Sequence, residues 1–222
     1  FGQILSGSDA GIVHEAHQLP ELAAAFFGER VSTRQLHELS KDTQAAASQL
    51  ADIKDVEEAA EALAGKASGF ESAFAMMQNR ETLGQFLGRR NVIPVMDEAR
   101  DALDALVELI KPYEERSEEM AACVERAIDV QERMQLILDK KDAENVRWVE
   151  AMGRGGSLHA TPIRVAEGFQ RMIETYPGAW VFTSATLAAG KDFAHFSGQL
   201  GLEAREVQLD SPFDYPAQAR LY

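Results

Sequence analysis

Ala10-Gly11-Ile12-Val13-His14-Glu15-Ala16-His17 is the stretch on which the fold turns. Four small or apolar residues stop abruptly at charged and polar ones. Such a run reads as a buried parallel strand whose C-terminal end carries chemistry. A second stretch has the same form: Ala179-Trp180-Val181-Phe182, a dense apolar strand, followed by Thr183-Ser184-Ala185-Thr186-Leu187. Parallel α/β sheets gather ligand sites at strand C-termini, so the two polar tails can lie side by side although about 165 residues separate them. A carboxylate beside two imidazoles, facing a cluster of hydroxyls, is machinery for activating water and sensing a phosphate.

Working outward, Leu19-Pro20-Glu21 opens a helix that carries Leu22, Ala23, Phe26 and Phe27 at helical spacing and stops at Gly28. The next 120 residues read as long helices with few turn signals. Ser32 or Thr33 caps the first, which bears Leu36, Leu39, Ala46 and Leu50. Asp55 to Arg80 forms the second, with Phe70, Phe74, Met76 and Met77 expected in the core. Pro94 opens a third, Pro112 interrupts it, and Glu114 to Lys140 continues the period. Strands are expected over Val146–Ala151, Ser157–Pro162 and Glu203–Leu209, with helices over Arg164–Tyr176 and Asp192–Leu200. The order α/β, all-α, α/β describes a parallel-sheet domain interrupted by a mostly helical insertion.

Composition narrows the function. The 222 residues are 45% apolar and 26% charged, with a net charge of −14. These are values of a folded globular chain, and they exclude a uniformly basic nucleic-acid module, though not a local DNA groove. Residues 95–150 hold 16 acidic and 8 basic side chains, so the insertion carries much of the negative charge. Cys123 is the only cysteine, and it is expected to be a core thiol. An intrachain disulfide, or a zinc or iron–sulfur site built from cysteines of this chain alone, is impossible. No apolar run of about 18 residues predicts a membrane span. The chain starts at Phe1 and closes just after Ser211-Pro212-Phe213, and it is expected to be a piece of a longer protein.

The ordered motifs resemble those of superfamily 2 helicases. His14-Glu15-Ala16-His17 is similar to their Walker B "DEAH" box, and Thr183-Ser184-Ala185-Thr186-Leu187 to their motif III. Ser211-Pro212-Phe213-Asp214-Tyr215, with Gln218 and Leu221-Tyr222, resembles the entry to the second motor domain in the DinG/YoaA branch of the XPD-like helicases. That branch inserts a helical arch between the Walker B box and motif III, the order found here. The resemblance covers the whole chain. It implies a RecA-like first motor domain over 1–30 and 157–188, an arch over 31–156 and the start of a second motor domain over 189–222.

The functional implications follow residue by residue. Glu15 matches the glutamate that polarises the attacking water in ATP hydrolysis. His17 matches the residue linking the nucleotide site to motif III, and Ser184 and Thr186 match the hydroxyls that couple hydrolysis to strand movement. The resemblance implies ATP and Mg²⁺ as cofactors, a 4Fe–4S cluster in the whole protein, and 5′-to-3′ unwinding of DNA. It also implies single-stranded DNA as partner, a replication or repair protein as a further one, and a place in the bacterial cytoplasm at the nucleoid. Arg89, Arg90, Lys140, Lys141, Arg147, Trp148 and Arg154 are the local candidates for DNA contact.

Two departures qualify this. The first position of the box, an Asp in the family that holds Mg²⁺, is His14 here, and imidazole is a poor ligand for that ion. Either this copy is weakened for hydrolysis, or another group supplies the oxygen, or the histidine is not native. The chain also lacks a P-loop: Gly65-Lys66-Ala67 and Gly190-Lys191-Asp192 do not fit G-x-x-x-x-G-K-[ST]. The chain alone is therefore expected to be inactive. The alternative is a helical interaction module on a degenerate motor core. A zinc site of the H-E-x-x-H kind is disfavoured, because His14 and His17 are three apart and follow a strand.

Overall fold

The structure is a computed structural model that describes residues 9–139, 141, 143–176, 178–190, 192–211 and 213. It divides into two compact units, one holding residues 1–26 and 164–222 and the other residues 27–163. The fold class is mixed α/β, with one parallel and one antiparallel sheet.

In the first unit, β1 (Ala10–His14) pairs in parallel with β6 (Ala179–Thr183), from Ala10 opposite Ala179 to His14 opposite Thr183. Gly11 permits this pairing. A Cβ there would lie 2.5 Å from the ring of Trp180, its register partner. One sheet face is filled by aromatic contacts. Trp180 stacks over Phe182 at 6.4 Å, and Phe182 meets Phe169 of α7 (Ala166–Thr175) and Phe196 of α8 (Ala194–Leu200) at 6.2 and 6.3 Å. The other face is open, with Ile12 75% and Val181 47% exposed. The helix expected after Leu19 is α1 (Leu19–Phe26).

The second unit is a helical core with a sheet laid on it. Its helices are α2 (Thr33–Ala47), α3 (Lys54–Ser72), α4 (Leu83–Leu87), α5 (Val92–Ile110) and α6 (Glu118–Leu138). Ser32 is the cap of α2: its hydroxyl accepts the Gln35 N–H, and Gln35 reaches back to the Ser32 N–H. Thr82 and Gln85 repeat the device on α4. Pro112 falls where α5 gives way to a 3-10 turn over Lys111–Arg116, because its ring cannot continue the helical ladder. Leu36, Leu63, Phe70, Leu103, Ile110, Met120 and Met134 fill the interior, and Cys123 is a buried free thiol among them.

Four strands run in the order β2-β5-β4-β3, all antiparallel. They are β2 (Glu29–Ser32), β3 (Arg80–Thr82), β4 (Asn145–Met152) and β5 (Gly155–Pro162). Val31, Val149, Leu158 and Ala160 face the helices and are buried. Gly156 lies beneath the Phe74 ring, where a Cβ would also sit 2.6 Å from the Glu150 carbonyl oxygen.

Three sequence expectations are corrected. The helix expected to reach Arg80 ends at Ser72, because Arg80–Thr82 is drawn into the ladder beside β4. Met76 therefore falls in a turn and is 85% exposed, not in the core. Glu203–Leu209 is not a strand. It has no pairing partner among the described residues, and Val207 and Leu209 are exposed. The mostly helical insertion also carries two short strands that were not expected, β2 and β3. Most of the second-domain entry motif, including Pro212, Asp214, Tyr215, Gln218, Leu221 and Tyr222, lies outside the described residues.

Across the outer face of this sheet, His159 stacks on Trp148 at 3.8 Å, and Arg80 covers the same indole at 4.6 Å. Burial holds the His159 imidazole well below its usual value, to about 4, and Arg30 and Arg80 push the same way against Glu150. Above pH 6.5 the ring is neutral whether folded or unfolded. Below it, the unfolded chain takes up a proton that the folded chain refuses. The 27–163 unit is therefore expected to lose stability as pH falls from 6.5 to about 4. His159→Gln, compared with the parent in urea unfolding at pH 7.0, 5.5 and 4.5, is expected to show a shallower loss over that window.

Candidate functional site

The polar cluster forms because two strands end together. β1 closes at His14, and the chain turns at once through Glu15, which takes the left-handed conformation with φ 55° and ψ 40°. A 3-10 turn over Ala16–Gln18 follows, anchored by the fully buried Ala16 and by the Gln18 N–H donating to the Glu15 carbonyl at 3.1 Å. Left-handed backbone costs an L-residue about 1–2 kcal/mol. Here it turns the Glu15 side chain towards the end of β6.

Three side chains close a triangle. The Ser184 hydroxyl donates to Glu15 Oε2 at 3.1 Å, and His17 Nδ1 lies 2.9 Å from the same hydroxyl oxygen and 3.1 Å from Oε2. A hydroxyl has one proton, so with that proton on Glu15 the serine oxygen accepts from His17 Nδ1–H. The Thr186 backbone N–H donates to the same oxygen at 3.3 Å. Thr186 thus joins the cluster through its main chain. All groups are partly exposed, and the Glu15 side chain is 49% accessible.

His14 makes a second cross-strand link. The Thr183 hydroxyl donates to the Val13 carbonyl at 3.5 Å, and His14 Nδ1 lies 3.2 Å from its oxygen. His14 Nε2 lies 3.6 Å from Glu15 Oε1. Thr183 was not singled out from the sequence. Its signal was its register: paired in parallel with matched ends, β1 and β6 set residue 183 opposite residue 14.

This donor set does not fit Mg²⁺. The ion takes oxygen ligands, whereas the cluster offers two imidazoles and one carboxylate already engaged by Ser184 and His17. A 4Fe–4S cluster needs four thiolates, and Cys123 is alone and buried. Among the described residues no group of three or more His, Cys, Asp or Glu is placed to hold a metal ion, and no helix is long and apolar enough to cross a membrane.

The DNA-contact candidates all belong to the 27–163 unit. Arg89 pairs with Glu81 at 2.9 Å, and Arg147 donates to the Asp139 carbonyl. The Trp148 indole is covered by His159 and Arg80 and donates its N–H to Thr161 at 3.0 Å, so its faces already have partners. Arg90 and Lys141 are exposed, Arg154 sits in the β4–β5 turn, and Lys140 lies outside the described residues.

No family model matches the chain. Curated relatives do. ATP-dependent DNA helicase YoaA of Escherichia coli (strain K12) is 34% identical over 223 residues, and the protein of the same name from Haemophilus influenzae is 31% identical over 224. The chain is homologous to part of the YoaA helicases. Each alignment takes in 100% of this chain and 35% of the relative, so the chain spans about a third of the YoaA length. The resemblance read from the motifs therefore holds along the whole chain.

Glu15→Gly tests the strain. Glycine removes the left-handed penalty of about 1–2 kcal/mol and adds about 0.5–1 kcal/mol of unfolded-state entropy. Relative to Glu15→Ala, which loses the same Ser184 and His17 contacts, the variant is expected to stabilise the first unit by about 0.5–1 kcal/mol, read by Trp180 fluorescence during urea unfolding in a Trp148→Phe background.

Proposed function

We propose that this chain is part of an ATP-dependent 5′-to-3′ DNA helicase that couples ATP hydrolysis to movement along single-stranded DNA in bacterial DNA repair or replication. The observation that carries the reading is the Glu15–His17–Ser184 triangle at the adjacent ends of β1 and β6. A carboxylate there can orient and deprotonate a water molecule attacking a terminal phosphate. Ser184 and His17 hold that carboxylate in place, so a shift of the segment after β6 moves the base. That gives hydrolysis a mechanical output. The alignment of the whole chain with about a third of the YoaA helicases supports the same reading.

The open sheet face supports membership in something larger. Parallel strands are normally covered on both faces, and Ile12 and Val181 are not. In this reading 1–30 and 157–188 belong to a RecA-like first motor domain, 31–156 is the arch and 189–222 begins the second motor domain. ATP is the substrate, and the P-loop, the Mg²⁺ ligands and any 4Fe–4S cluster come from the rest of the protein. The working place is the bacterial cytoplasm, at the nucleoid, with a replication or repair protein as a further partner. A second reading rests on His14: with imidazole in place of the family's aspartate, the motor core is degenerate and the helical unit is an interaction module.

Kinetics of the whole helicase separate the two. Glu15→Gln is expected to lower kcat for DNA-stimulated ATP hydrolysis by about 10²-fold or more, the range for loss of a positioned base. Ser184→Ala is expected to retain more of the ATPase than of the unwinding. The 222-residue chain alone is expected to show no turnover. An unchanged kcat in Glu15→Gln, or ATP hydrolysis by the chain alone, contradicts the proposal.

A further inference from the structure

We infer that His14 is a further working residue of the site at the strand ends: its Nε2 and Glu15 Oε1 together hold the water that attacks the terminal phosphate. The inference rests on the helicase reading. It starts from an asymmetry in the Glu15 carboxylate. Oε2 is engaged twice, by the Ser184 hydroxyl at 3.1 Å and by His17 Nδ1 at 3.1 Å. Oε1 has no hydrogen bond among the described residues and faces His14 Nε2 at 3.6 Å. That separation is too long for a direct hydrogen bond. It suits two polar atoms that share a water molecule lying about 2.8 Å from each. The His14 and Glu15 side chains are 78% and 49% exposed, so solvent reaches the gap.

The ring is held for this task. The strand register sets His14 opposite Thr183, and His14 Nδ1 lies 3.2 Å from the Thr183 hydroxyl oxygen. Two consecutive hydroxyls, one at the end of β6 and one just beyond it, thus each fasten an imidazole: Thr183 that of His14, Ser184 that of His17. The two rings stand at opposite oxygens of one carboxylate. A ring nitrogen is a donor or an acceptor, and water can meet either. In the reaction the water oxygen bonds to the terminal phosphorus while the bond from that phosphorus to the ADP oxygen breaks, its electron pair leaving with ADP. Glu15 takes the water proton on Oε1. His14 exchanges no proton and fixes the direction of attack. Thr183 is a positioning residue that acts through the ring. His14 is then a working part of the site and neither a cation ligand nor a mark of degeneracy.

Steady-state ATP hydrolysis by the whole helicase, with ATP and Mg²⁺ varied separately, tests this. His14→Ala is expected to lower kcat at least about 10-fold while KM for ATP and the half-saturating Mg²⁺ concentration stay unchanged. His14→Gln, whose amide reaches the place of Nε2, is expected to recover most of that loss. Thr183→Val is expected to lower kcat less, and to add nothing in the His14→Ala background, the mark of a residue acting through the ring. His195→Ala, at an exposed position of α8, is expected to change none of these. Should His14→Ala lose the circular dichroism of the parent, His14→Phe, which keeps a ring without its nitrogens, carries the test with the same expected loss. An unchanged kcat overturns the inference, and so does a raised Mg²⁺ requirement, which would make His14 a cation ligand. With kcat unchanged in His14→Ala but lowered in Glu15→Gln, the inference falls and the helicase reading stands; with kcat unchanged in both, or no hydrolysis by the parent, both fall.

Discussion

The parallel pairing of β1 with β6 is the constraint on which the site depends. It sets His14 beside Thr183 across 169 positions of chain, a contact with a large closure entropy. What makes it feasible lies within the insertion. β2 pairs with β5, Glu29 opposite Ala160, so the chain that leaves after residue 27 is brought back beside its own start. The intervening helices then form a closed excursion with its own core. Folding of that unit replaces a long flexible loop with a short one.

The site inherits both precision and incompleteness from this arrangement. Ser184 and Glu15 meet because each follows immediately on a strand end, where the backbone is already fixed. The left-handed turn at Glu15 and the serine hydroxyl shared among His17, Glu15 and Thr186 do the aiming. Yet two parallel strands with one open face do not make a self-sufficient sheet, and the cluster presents no oxygen set suited to Mg²⁺. Both facts accord with a chain that covers 35% of its helicase relatives.

Much of this was legible in residue patterns. β1 and β6 declared themselves as apolar runs ending in polar tails, Ser32 as a cap and Pro112 as a break. β2 and β3 did not, because strands of four and three residues are too short to display alternation, and their pairing is decided by distant partners. Met76 continued a helical period in sequence but lies beyond the end of its helix. Glu203–Leu209 has a strand's composition without a strand's neighbour. At the site, the acid and its partners were legible through motif order. Thr183 as a partner of His14 was not, since register between distant strands is a tertiary fact.

The central claim is that residues 15–17 and 183–186 form one polar cluster at the ends of paired strands. The most direct measurement is a nuclear Overhauser effect between the His17 ring protons and the Ser184 β-protons in the folded chain. With Nδ1 and Oγ 2.9 Å apart, a strong cross-peak is expected, lost in urea. A folded chain with both residues assigned and no such cross-peak would contradict the account.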